Sequence, residues 1–238
     1  WAWADPARRS AGRRLKGLGS LAPSVPELVG GAWAGIGIAV APGLDLDDPD
    51  RPDGAELEFV QVDRTLVEAT LWLGSTRDTG PGERCATSAT ILPTGDHVRG
   101  VPTPPDVPVV DPTEGAWLAE PAPALVRARL ADRVAAELGL RRLARHRALF
   151  VADGAVTTPW FRLEPIEAVV AARPRAVRDA LRSLDPLPVE IVTHGASVDV
   201  AAWMRGLGGP ERGPRGRAVH VARLDRTSIA VLTRRAEA

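Results

Sequence analysis

The sequence is short of the residues from which several kinds of site are built. Cys85 is the one cysteine among 238 residues, so no internal disulfide can form and no cluster of thiolates exists to hold a zinc ion. Tyrosine is absent, the only methionine is Met204 and the only lysine is Lys16. Positive charge is therefore almost all arginine, which together with abundant alanine fits the codon bias of a high-GC genome. No apolar run reaches the ~18 residues a membrane-spanning helix needs, and the N-terminus lacks the basic, apolar and small-residue regions of a signal peptide. A cytoplasmic protein without a membrane partner is expected. Lysine plus arginine equals aspartate plus glutamate, 30 against 30, so no overall field draws the chain to nucleic acid and any polyanion binding must be local. The histidines, His97, His146, His194 and His220, have no helical-spacing partners, and no metal site or nucleophile–base pair is read from them.

What the chain does have is a core: it is 45% hydrophobic, enough for one large domain or two small ones. Trp1 to Ala4 reads as a short buried strand stopped by Asp5-Pro6, with an arginine- and glycine-rich loop after it. Ser24 and Glu27 are spaced as a capping box for a brief helix. Gly37 to Ala41 reads as a second buried strand, and the aspartate-rich stretch from Asp45 to Asp53 as an exposed loop. Two hairpins are expected, one turning at Asp63-Arg64 and one at Pro93 to Asp96. Five prolines between Val101 and Pro112 predict a linker between two lobes. Beyond it, apolar residues from Leu125 to Leu138 at three- and four-residue steps, followed by Gly139, predict one amphipathic helix from about Pro123 to Leu138. Strands near Leu149 and Trp160, a helix after Pro174, a strand from Val189, a short helix capped by Asp199 and a terminal hairpin complete a small α+β unit.

Asp5-Pro6-Ala7-Arg8-Arg9 through Gly12-Arg13-Arg14-Leu15, then Ala41-Pro42-Gly43-Leu44, Leu66 to Gly74 and Ala89 to Gly95 occur in an order that resembles the back half of the class I S-adenosylmethionine-dependent methyltransferases. Val189 to Gly195 with Val198-Asp199 resembles the signature stretch of the C-terminal THUMP-like domain that some of them carry. The resemblance implies an α/β plus α+β fold: a partial Rossmann-like sheet from about strand four onward over residues 1–100, the linker at 101–112, a connecting region at 113–164 and a THUMP-like domain at 165–238. It also implies S-adenosylmethionine as cofactor and, from a chain that opens on Trp1 within an apolar run, that the cofactor-binding half lies upstream and is missing.

In that family an acid followed by proline closes the fourth strand beside the methyl group, which makes Asp5 and Pro6 the candidate catalytic residues. Proline stiffens the turn and aims the carboxylate at an acceptor. Arg8, Arg9, Arg13 and Arg14 are candidate contacts for the phosphates of an RNA substrate, or a solvated loop in an arginine-rich chain. Gly35-Ile36-Gly37 precedes a strand instead of following one, so it is not read as a cofactor loop. The resemblance implies a methyltransferase portion with RNA as substrate; the alternative is a non-catalytic RNA- or protein-binding module.

Overall fold

The computed structural model describes residues 1–10, 12–15, 17–74, 86–102, 107–208, 216–224 and 227–235, with the side chains of Ser10, Arg13 and Arg14 outside the description. Lys16 and Cys85 also lie outside it. The chain divides into two compact units, Trp1–Pro104 with Ala122–Arg133, and Pro105–Pro121 with Val134–Ala238. No described helix is long and apolar enough to cross a membrane.

The first unit is a mixed sheet. Its strands are β1 (Ala2–Ala4), β4 (Gly35–Val40), β5 (Glu56–Val62), β6 (Thr65–Gly74), β7 (Thr87–Leu92) and β8 (Asp96–Gly100), in the order β1-β4-β6-β5-β7-β8. A two-stranded hairpin, β2 (Arg9–Ser10) and β3 (Arg13–Arg14), and the helix α1 (Val25–Val29) lie in the β1–β4 connection. β1 is parallel to β4, and β5 to β7, while β6 is antiparallel to both β4 and β5. It follows that β1, β4, β5 and β7 share a direction and end at the same edge of the sheet. α1 begins as its capping box predicts: Ser24 and Glu27 each cap the other's backbone N–H.

One sheet face is apolar because its inward positions alternate along each strand: Ile36, Ile38, Leu57, Phe59, Leu71, Ala89 and Ile91 are all buried. The helix α2 (Pro123–Arg127) packs on β5, β6 and β7 at this face and is fixed by polar pins. The Ala124 N–H donates to the Gln61 side chain at 2.9 Å, and the Thr87 hydroxyl donates to the Ala128 carbonyl at 2.6 Å. On the opposite face Gly37 lets two rings close in: a Cβ there would lie 2.6 Å from Trp72 and 2.7 Å from Trp3. The glycines of Gly35-Ile36-Gly37 belong to β4, which begins two residues earlier than the expected strand from Gly37.

The single helix expected from Pro123 to Leu138 is two. α2 stops at Arg127, α3 spans Ala131–Glu137, and between them Arg129 takes a left-handed φ of 56°. The break has physical causes that periodicity does not carry. The Ala128 carbonyl is taken by Thr87, the Leu130 N–H reaches back to the Leu125 carbonyl at 3.1 Å, and both leucines become fully buried.

The second unit is a seven-stranded sheet, ordered β10-β11-β9-β12-β15-β14-β13, from β9 (Trp117–Pro121), β10 (Arg141–Arg142), β11 (Phe150–Ala152), β12 (Phe161–Ala171), β13 (Val189–His194), β14 (Arg217–Arg223) and β15 (Ser228–Arg234). β12 is one long strand that pairs with β9 at its start and, after an irregularity between Ile166 and Ala168, with β15 at its end. The helices α4 (Pro174–Arg182) and α5 (Val200–Gly206) bury Val177, Trp203 and Met204 against Ala168, Val219, Val221 and Leu232. Asp199 caps α5 through the Ala202 N–H at 3.0 Å, as expected.

Candidate active site

Where β1 ends, the sequence forces a corner. Asp5 stops the strand, and Pro6, which has no N–H to extend a ladder, is buried while Asp5 and Ala7 are exposed. Ala7 then exchanges hydrogen bonds with Ala22 at 2.9 and 3.3 Å, which fixes the chain just after the turn. The anchored proline holds the backbone and the acid beside it points outward: the Asp5 side chain is 63% exposed.

Asp5 and Pro6 line an open hollow of 570 Å³ together with Ala7, Arg8 and Arg9. Arg8 reaches to 3.7 Å from the Asp5 carboxylate and also lines a neighbouring cleft of 390 Å³. That cleft is floored by Leu15, Leu18, Leu21, Val40 and Leu44 and rimmed by Asp45 and Asp48. Both hollows sit at the edge where the parallel strands β1 and β4 end. In open α/β sheets ligands bind outside the carboxyl ends of the strands. The arrangement presents the outward Asp5 carboxylate with Arg8 and Arg9 beside it and an apolar floor in the adjoining cleft, which suits holding a polar acceptor atom in a fixed direction.

The four arginines expected at the site are brought together by backbone. β2 and β3 place Arg9 opposite Arg14 and Ser10 opposite Arg13, directly after the Asp5-Pro6 corner. Arg8 and Arg9 are exposed there, while the side chains of Arg13 and Arg14 lie outside the described residues.

The aspartate-rich loop contributes more than exposed charge. Leu44 and Leu46 are buried, the Asp48 carboxylate accepts the Leu18 N–H at 3.2 Å, and Arg127 donates to the carbonyls of Pro42 at 2.9 Å and Leu44 at 2.6 Å. The loop is thereby clamped as the far rim of the cleft. Composition pointed to solvent; the signal that could have corrected it is the alternation Leu44-Asp45-Leu46-Asp47, in which every second residue is apolar.

Sequence reading also missed a buried polar network in the second unit. His194 and His220 stack with ring centres 5.2 Å apart, and His194 Nε2 lies 2.9 Å from His220 Nδ1. His220 Nε2 is 3.0 Å from Glu164, which also accepts the Thr233 hydroxyl. Burial opposes ionisation of Glu164, but hydrogen bonds from His220 and Thr233 and the positive charge of Arg162 outweigh it and hold its carboxyl at about 2. An ionised carboxylate only accepts, so His220 carries its proton on Nε2 and, when neutral, accepts from His194 through Nδ1. The two histidines are far apart in sequence and meet only because β13 and β14 pair in parallel, with Val192 opposite His220.

No family model matches the chain. It is 31% identical over 232 residues, 96% of its length, to uncharacterized S-adenosylmethionine-dependent methyltransferases from two strains of Mycobacterium tuberculosis, and spans 62% of their length. A crystal structure of a proposed methyltransferase from Porphyromonas gingivalis has the same fold over 99% of the chain, with a TM-score of 0.80 at 20% identity, and the chain spans 59% of it. Nearly the whole chain is therefore similar to about three-fifths of an S-adenosylmethionine-dependent methyltransferase.

Proposed function

We propose that this chain is the C-terminal portion of an S-adenosylmethionine-dependent, cytoplasmic RNA methyltransferase, in which Asp5 and Pro6 form the acceptor-facing wall of the site and the second unit is THUMP-like. The observation that carries the reading is the Asp5-Pro6 corner: an outward carboxylate on a buried proline, at the shared carboxyl edge of two parallel strands. Four strands of one direction, with β8 antiparallel at the edge, support a Rossmann-like remainder, because doubly-wound folds often carry an antiparallel edge strand; β6 is antiparallel inside the sheet. Support also comes from the relatives' names and from the share of their length that the chain leaves unmatched.

The residues present fit one wall of such a site. Among the described residues no glycine-rich turn follows a strand and opens a helix, the usual cradle for a cofactor of this kind. Bound S-adenosylmethionine would supply an electrophilic methyl group, so the chain's task is placement. Asp5 would accept a hydrogen bond from the acceptor N–H or O–H and draw its proton as the new bond forms, Pro6 would hold that carboxylate in direction, and Arg8 and Arg9 would contact phosphates beside the acceptor.

Binding of a fluorescein-labelled RNA hairpin across a salt series tests the substrate class. With Arg8 and Arg9 both changed to Gln, affinity should fall about tenfold and the slope of log affinity against log salt should shrink by about one to two. An unchanged slope and affinity would count against RNA contact at this edge.

A further inference from the structure

Whereas the Asp5 corner belongs to the first unit, a cleft lies in the second. It has a volume of 730 Å³ and is formed by α4, the end of α5 and the starts of β13 and β14. That is within the range of about 300–1,000 Å³ typical of small-molecule sites. Its lining is chiefly apolar, with Leu181, Leu187, Val189 and Leu207, and its polar side chains are mainly arginines: Arg178, Arg182 and Arg217.

The charges of this wall can be assigned one by one. Arg217 is buried and spent: its guanidinium engages the Glu167 carboxylate and the Asp185 carbonyl. Arg234 holds Glu167 at 2.9 Å and Asp185 at 3.3 Å, so both acids are satisfied without help from α4. Arg182 is largely exposed and sits 3.7 Å from Asp179. Arg178 is different. It donates to the Gly206 carbonyl at 3.2 Å, and its Nε is shielded from solvent with no hydrogen-bond partner. A buried N–H left without an acceptor costs free energy, and no carboxylate among the described residues pairs with this guanidinium, so its charge is uncompensated beside the cleft. Arg178 and Arg182 are one turn apart on α4, so they share a face, and Leu181 lies between them on the same wall.

We propose that this cleft binds a small organic anion, an oxyanion carried on an apolar or aromatic body, with the oxyanion against Arg178 and Arg182 and the body over Leu181, Leu187 and Leu207. Each half of the ligand answers a different part of the lining. A guanidinium pairs with oxyanions through charge-assisted hydrogen bonds, and the leucine floor gives the affinity that a bare anion would lack. The site would operate independently of the Asp5 corner and of the reaction proposed there.

Titration of the full chain with 1-naphthyl phosphate, followed by calorimetry, tests this, with 1-naphthol and inorganic phosphate each offering one half of the ligand. 1-Naphthyl phosphate should saturate one site and bind at least about tenfold more tightly than either control. Arg178→Leu should weaken it by about tenfold or more. Because Arg178 also holds the end of α5, Leu187→Trp gives a second reading: it fills the cleft with Arg178 in place and should weaken binding to a similar degree at an unchanged melting temperature. The proposal is overturned if 1-naphthyl phosphate fails to saturate at millimolar concentration, if inorganic phosphate binds as tightly, or if the folded Leu187→Trp protein binds as the parent does.

Discussion

Asp5→Ala is expected to lower methyl transfer by about 100-fold or more, in a transfer-competent protein that carries this chain, and to leave its melting temperature nearly unchanged. The rate effect follows from the role. Placing or deprotonating the acceptor is typically worth about 100- to 10,000-fold, and no other described carboxylate lines the hollow at the end of β1. The small stability effect follows from exposure: Asp5 is largely in solvent, and its 3.7 Å contact with Arg8 is a surface pair, of a kind worth little. Asp5→Asn separates two chemistries. If the carboxylate only orients the acceptor, the amide retains an oxygen and the loss is mild; if it removes the proton, the loss matches that of alanine. A variant that melts early while its folded fraction keeps full turnover would make Asp5 a turn residue.

The second large effect is in acid. Burial, then the charge of His220, push the His194 imidazole down to about 4 from an ordinary 6.5; Glu120 and Glu164 pull it up and Arg162 adds to the depression. The folded protein therefore resists a proton that the unfolded chain accepts. Stability from this group is complete above about pH 6.5 and falls as the pH drops toward 4, by on the order of 3 kcal/mol if the shift is fully expressed. Glu164, held at about 2, adds to the loss only below its ordinary value of 4.5. The groups around the two histidines are Glu120 on β9, Arg162 and Glu164 on β12 and Thr233 on β15, with Arg235 beside Glu164 and engaging Glu190 on β13. His194→Gln cannot take up the proton but keeps an amide that can hydrogen-bond His220 Nδ1 as donor or as acceptor. Urea unfolding between pH 7.5 and about 4.5 should show the parent level down to about pH 6.5 and losing stability below it, and the Gln variant staying nearly level over the whole interval. A parent with no such fall, or a variant that falls as steeply, would contradict the assignment.

The parts of the fold that were legible in the sequence are those set by neighbours along the chain. Ser24 with Glu27, Asp199, Pro174, the hairpins at Asp63 and Pro93, and the strand expected from Gly37 all carry their signals within a few residues. What escaped was set across space. The helix from Pro123 breaks at Arg129 because Thr87, on another strand, takes the Ala128 carbonyl. The aspartate loop is clamped by Arg127, and Arg217 reaches Glu167 from a distant strand. At the candidate site the pair Asp5-Pro6 was visible as a word, whereas its exposure, the buried proline beside it and the cleft shared through Arg8 depended on β1 lying parallel to β4. The histidines were judged by helical spacing, which says nothing about two side chains brought together by parallel strands.

The account rests on this chain being one wall of an adenosylmethionine site whose remainder lies in the length that its relatives have beyond it. Calorimetric titration of S-adenosylmethionine into the 238-residue chain, and into a version extended to its relatives' length, tests that most directly. The account predicts no low-micromolar binding by the chain alone, and such binding once it is extended, since the glycine-rich turn that would grip the cofactor is not among the described residues. Low-micromolar binding by the chain alone would contradict it.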